Sequence, residues 1–166
     1  MCHELDSRPP IAPIAGGALD GQLIEISGAD GNTFAAYRAR PTSPIGAGIV
    51  ILPDVRGLHP FYEELALRFA ERGIDALAID YFGRTAGAEP RGDAFEHMPH
   101  AERTTWAGIS SDITEGVETL RREPTGTVTL WTLGPLTNIG LAFQKAPDIV
   151  PRIRELVMMG GGFFEG

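Results

Sequence analysis

Gly48-Ile49-Val50-Ile51-Leu52-Pro53-Asp54 is an almost wholly apolar run closed by a proline and a carboxylate. Apolar residues at successive positions fit a strand buried on both faces, as at the centre of a parallel sheet with helices above and below. Asp54 then opens the polar loop Asp54-Val55-Arg56-Gly57 at the carboxyl end of that strand. In open α/β sheets this is the edge where ligands bind.

Outward from this strand the chain divides into short periodic segments. Upstream, Leu23 to Ser27 alternates like a half-buried strand and Thr33 to Ala39 reads as its partner, with Asp30-Gly31 as the turn between them. An antiparallel hairpin at the sheet edge is expected, and Pro41 and Pro44 separate it from the central strand. Downstream, Phe61, Leu65 and Phe69 recur four apart, opposite Glu63, Glu64, Arg68 and Glu71 on the wetter side. This predicts an amphipathic helix from Phe61 to Arg72, begun near Pro60 and ended at Gly73. Ile74 to Ile79 is the next strand, with Asp80 at its carboxyl end. Tyr81 to Thr105 reads as a long irregular stretch. From Trp106 a second helix is expected, with Ile109, Ile113, Val117 and Leu120 buried and Asp112, Glu115 and Glu118 solvated. Gly116 within it costs about 1 kcal/mol of helix propensity, and its small size suits close packing on the sheet.

Thr127 to Leu133 is β-branched enough for a third core strand. A helix through Ile139, Ala142 and Phe143 follows, capped by Thr137 or Asn138, and Leu156 to Met159 is a last short strand. The expected fold class is therefore α/β: a three-layer, mainly parallel sheet flanked by helices, with an N-terminal antiparallel hairpin. One domain over residues 1–166 accommodates all of it, behind a loose leader at 1–18.

Composition narrows the function. A formal net charge of -8 with no basic patch argues against nucleic-acid or anionic-membrane partners. Apolar runs fall well short of the roughly 18 residues that span a bilayer, and MCHELDSRPP does not read as a secretory signal. A single cysteine, Cys2, forms no internal disulfide framework and suits a cytoplasmic chain. Cys2 with His3 makes too few ligands for a metal site. His97 and His100 read as loop histidines, since Pro99 between them breaks regular ligand geometry. Asp54 with Arg56 and Arg84 could form a charged pocket for a carboxylate, arginine's planar fork being suited to one. The same residues also read as a structural ion pair or a solvated turn. A small-molecule substrate and self-association through the C-terminal sheet edge are the expected partners.

Two family resemblances accompany these readings. LPDVRGLHPFYEELALRFAERGIDALAIDYFGRTAG and HMPHAERTTWAGISSDI, within residues 24–120, resemble the dienelactone hydrolases, cysteine-dependent α/β hydrolases of lactone esters. That resemblance implies an incomplete α/β-hydrolase fold, with Asp54 in the place of the acid that partners the nucleophile. It also implies Arg84 as an arginine holding the substrate carboxylate. The G-x-C-x-G elbow, the later aspartate and the later histidine are not present; the turn reads Leu133-Gly134-Pro135-Leu136-Thr137. From Val128 onward, VTLWTLGPLTNIGLAFQKAPDIVPRIRELVMMGGGFFEG resembles the calcium-dependent inosine-uridine nucleoside hydrolases. This second resemblance implies that Leu133 presents its backbone carbonyl to calcium and that Met159 lines the nucleoside pocket. The family's N-terminal aspartate cluster is missing. The chain thus resembles a composite or truncated hybrid, a dienelactone-hydrolase-like part over residues 19–122 and a nucleoside-hydrolase-like part over 128–166. The expected function is impaired or absent lactone hydrolysis without a cofactor. The alternatives are a calcium-dependent nucleoside hydrolase fragment and a non-catalytic binding scaffold.

Overall fold

The computed structural model describes residues 7–54, 56–89, 91–92, 94–121, 127–132, 143–144, 147 and 153–158, with 127–132 and 153–158 described as backbone. The apolar run forms β3 (Ala47–Leu52), and its central place is direct: it pairs in parallel with β4 (Ile74–Ile79) on one side and with β5 (Thr127–Thr132) on the other. β5 pairs in parallel with β6 (Ile153–Met158). The hairpin strands β1 (Ala18–Ser27) and β2 (Thr33–Pro41) are antiparallel to each other, and β2 runs antiparallel to β4. The order across the six described strands is β1-β2-β4-β3-β5-β6.

Period-two alternation divides the core. Val50, Leu52, Leu77 and Ile79 turn to one face of the sheet, beneath Ile109, Ile113, Val117 and Leu120 of α4 (Trp106–Arg121). Ile49, Ile51, Ala76 and Ala78 turn to the other, beneath Phe61, Tyr62 and Leu65 of α1 (Pro60–Ala70). Each buried Val, Leu, Ile or Phe side chain among these contributes on the order of 1.5–3 kcal/mol by leaving water. Helices on both faces of the sheet explain why the central strand has no polar side. α1 has Pro60 in its first turn, where a missing N–H is harmless. It ends at Ala70, and Gly73, with a left-handed φ of 87° and its N–H on the Ala70 carbonyl, turns the chain toward β4.

Several sequence expectations are corrected. The stretch from Tyr81 to Thr105 contains two short helices, α2 (Gly83–Ala86) and α3 (Met98–Arg103). Pro99 lies in the first turn of α3 and so starts the helix rather than breaking it. Arg68, placed on the wet side of α1, is buried between Glu64 and Glu71. Asp112, assigned to the solvated face of α4, is 1% exposed. Residues 7–17 form no helix or strand but are tied to α1, through an Arg8–Glu64 ion pair and the Ile14 N–H on Glu71. The helix expected after Thr137 lies largely outside the described residues.

Candidate functional site

At the carboxyl ends of β3 and β4 the chain turns out of the sheet at Asp54 and Asp80. Asp54 is held by its backbone as well as its side chain. Its N–H donates to the Tyr62 hydroxyl at 3.0 Å, and its carbonyl accepts from the Tyr81 hydroxyl at 2.6 Å. The carboxylate accepts from the Arg56 N–H at 3.0 Å and from the Arg56 Nη2 at 3.0 Å. The buried His59 places Nε2 3.9 Å from Asp54 Oδ1, and its ring meets Tyr62 edge-on. Burial pushes the Asp54 carboxyl up, but the Arg56 hydrogen bonds and charge outweigh it and hold the group below the usual carboxylate range. The two tyrosine hydroxyls are driven far above their ordinary value, chiefly by burial and then by the Asp54 charge. They stay neutral and act as hydrogen-bond partners rather than bases.

Gly57 makes the loop possible. Its φ is 77°, and a Cβ there would lie 2.9 Å from the Phe82 ring. Asp80 is 1% exposed and accepts from Arg91 Nε at 2.7 Å and from the Phe82 N–H at 3.0 Å. Burial still leaves its carboxyl raised. A small cavity of about 60 Å³ lies beside this pair, lined in part by Leu58, Glu63, Asp80 and Arg91.

The structure brings Asp54 and Arg56 together and places Arg84 in a different cluster. Arg84 Nη2 lies 2.7 Å from Asp30 and 2.8 Å from Asp112, two carboxylates absent from the expected pocket. Leu133 and Met159 lie outside the described residues. His100 stacks on Phe95 and its Nδ1 sits 3.0 Å from Arg103 Nη2. No group of three or more His, Cys, Asp or Glu side chains among the described residues could hold a metal ion. His59, Tyr62 and Tyr81 were not singled out from the sequence. The only signal was their position, immediately after two strands that each end in an aspartate.

The fold is a mixed α/β sheet, parallel through β4, β3, β5 and β6, with helices on both faces. Solved structures with this fold include a putative dienelactone hydrolase from Klebsiella pneumoniae (TM-score 0.52, 19% identity, 68% of this chain and 50% of that one). Another is a dienelactone hydrolase-like promiscuous phosphotriesterase from metagenomic libraries (TM-score 0.59, 20% identity, 86% of this chain and 60% of that one). By its family match over residues 58–166, the chain belongs to the inosine-uridine preferring nucleoside hydrolases. That match begins well before Val128. The pyrimidine-specific ribonucleoside hydrolase RihB of Escherichia coli is 49% identical over 41 residues, 25% of this chain and 13% of that protein. The chain thus spans less than a fifth of the length of the first curated relatives it matches. Both resemblances read from the sequence are supported.

Proposed function

We propose that this chain is a hydrolase-type α/β scaffold whose ester- or lactone-cleaving chemistry is impaired. The observation that carries this reading is the state of Asp54. An acid in its place assists a nucleophile by taking up or sharing a proton, which it does best when its pKa lies near the working pH. Here the carboxylate accepts hydrogen bonds from Arg56 and is held more acidic than usual. The sequence that follows β5, Leu133-Gly134-Pro135-Leu136-Thr137, contains neither serine nor cysteine. Without a nucleophile at reacting distance, positioning alone gives little rate. The edge remains suited to binding a small molecule, and self-association through the β6 edge is part of the same reading.

A second reading, nucleoside hydrolysis, is favoured by the family match over residues 58–166. The described residues do not fit calcium, since no three His, Cys, Asp or Glu side chains among them are gathered to hold it. Hydrolysis of a small lactone and of a ribonucleoside, each with and without calcium, separates the readings. Silence with both substrates is the expected result. Lactone turnover at rates typical of esterases refutes impairment, and calcium-dependent release of base establishes the second reading. Light scattering at high protein concentration tests self-association, and a monomer there rules it out.

A further inference from the structure

β1 ends the row of six described strands, so one of its edges carries backbone N–H and C=O groups that no described strand pairs. Its sequence, ALDGQLIEIS, has no lysine or proline to blunt that edge, and its register with β2 shifts at its start, between Ala18 and Asp20. Leu19 to Leu23 are exposed without interruption, the two leucines at 67% and 46%. Gly21 faces α1, since a Cβ there would meet Leu67, and the period of two puts Leu23 and Glu25 on the same face. There Leu23 borders the cavity of about 60 Å³ that Glu63, Asp80, Glu89 and Arg91 also line. Arg91 spends its donors on other groups: Nε on Asp80, Nη1 on the Ala86 carbonyl and Nη2 on the Gly87 carbonyl. Among the described residues no basic group pairs with Glu63 or Glu89. Burial pushes the Glu63 carboxyl up.

We propose that β1 takes an added strand from another protein: an extended, lysine-bearing segment that pairs along the free edge and places one ammonium in the cavity beside Leu23. Backbone hydrogen bonds supply the pairing, and the side-chain pocket supplies the selectivity. A water takes about 30 Å³ in the liquid, so a cavity of about 60 Å³ admits an ammonium head and little of its stem. The stem lies along Leu23 and Pro60, as lysine stems do on apolar surface. A second copy of this chain fits less well. Antiparallel pairing about the midpoint of β1 sets Asp20 opposite Glu25 twice, and like charges directly opposite repel. The formal charge of -8 adds to that repulsion and favours a basic partner. This surface is independent of the reaction proposed above.

A fluorescein-labelled peptide as long as β1, alternating lysine and valine, is titrated with the full chain and followed by anisotropy. Saturable binding is expected, with amides between Leu19 and Glu25 gaining protection from exchange while those of β3 stay constant. Glu63→Gln should weaken binding about tenfold, the loss of one charge-assisted hydrogen bond. Leu23→Lys, which supplies the missing edge lysine, should abolish it. The same peptide with every backbone nitrogen methylated keeps its charge and should bind at least about tenfold more weakly, having no strand to add. Should Glu63→Gln not fold, carbon NMR of the unaltered chain decides: the Glu63 carboxyl moves down when the peptide saturates, and an unmoved titration overturns the proposal. So does absence of saturable binding. Equal binding of the methylated peptide, or binding indifferent to Glu63→Gln, overturns it by reducing it to charge attraction alone. Dimerisation that Leu23→Lys removes, seen by sedimentation, overturns it in favour of self-pairing.

Discussion

Replacing Arg91 by methionine isolates the most buried ion pair described at the carboxyl edge of the sheet. Asp80 is 1% exposed, and the Arg91 side chain that meets it at 2.7 Å is 5% exposed. Burial already raises the Asp80 carboxyl despite that partner. Arg91→Met leaves the carboxylate with backbone donors only, such as the Phe82 N–H at 3.0 Å. Breaking one side of a buried pair costs about 3–5 kcal/mol. Arg91 also donates to the carbonyls of Ala86 and Gly87, and losing these accounts for about 1–2 kcal/mol at any pH. The remainder depends on the charge of Asp80. An acid whose folded pKa lies above its unfolded one adds stability at low pH that is lost as pH rises between the two values. Arg91→Met extends that interval upward, so its cost is largest near pH 7 and shrinks toward about 1–2 kcal/mol near pH 4.5. Urea unfolding at the two pH values measures this, and adding Asp80→Asn should recover much of the loss at pH 7. An equal loss at both pH values would refute the reasoning, because it would mean that the Asp80 charge is not what Arg91 compensates.

Further substitutions test other parts of the fold. Gly116→Ala should stabilise the protein by up to about 1 kcal/mol in urea unfolding, since a methyl there would meet Ile79, Leu77 and Val50 at 3.4–3.5 Å, ordinary contact. Gly57→Ala should destabilise by about 1–3 kcal/mol, because φ is 77° and the Phe82 ring stands 2.9 Å from the new atom. Arg56→Ala should raise the Asp54 carboxyl in an NMR titration, as the guanidinium hydrogen bonds and charge are lost while the backbone N–H of residue 56 still donates. It should also remove stability that the native chain holds above the unfolded aspartate pKa and loses as pH falls through the lower folded one. An unchanged Asp54 titration would show that Arg56 does not set its charge.

Residue patterns alone determined the elements on which the fold rests. β3, β4, α1 and α4 emerge within a few residues of their observed spans because periodicities of two and of about four are local properties of a half-buried chain. The two aspartates ending β3 and β4 were legible for the same reason. What tertiary structure decided is who meets whom across the chain. β2 lies beside β4 rather than β3, and Asp112 is buried rather than solvated. Arg84 turns to Asp30 and Asp112 and away from Asp54. The contacts responsible join residues 80, 81 and 86 positions apart. No helical or strand period encodes such distances; a helix face that reads as wet becomes dry only when another segment is packed against it.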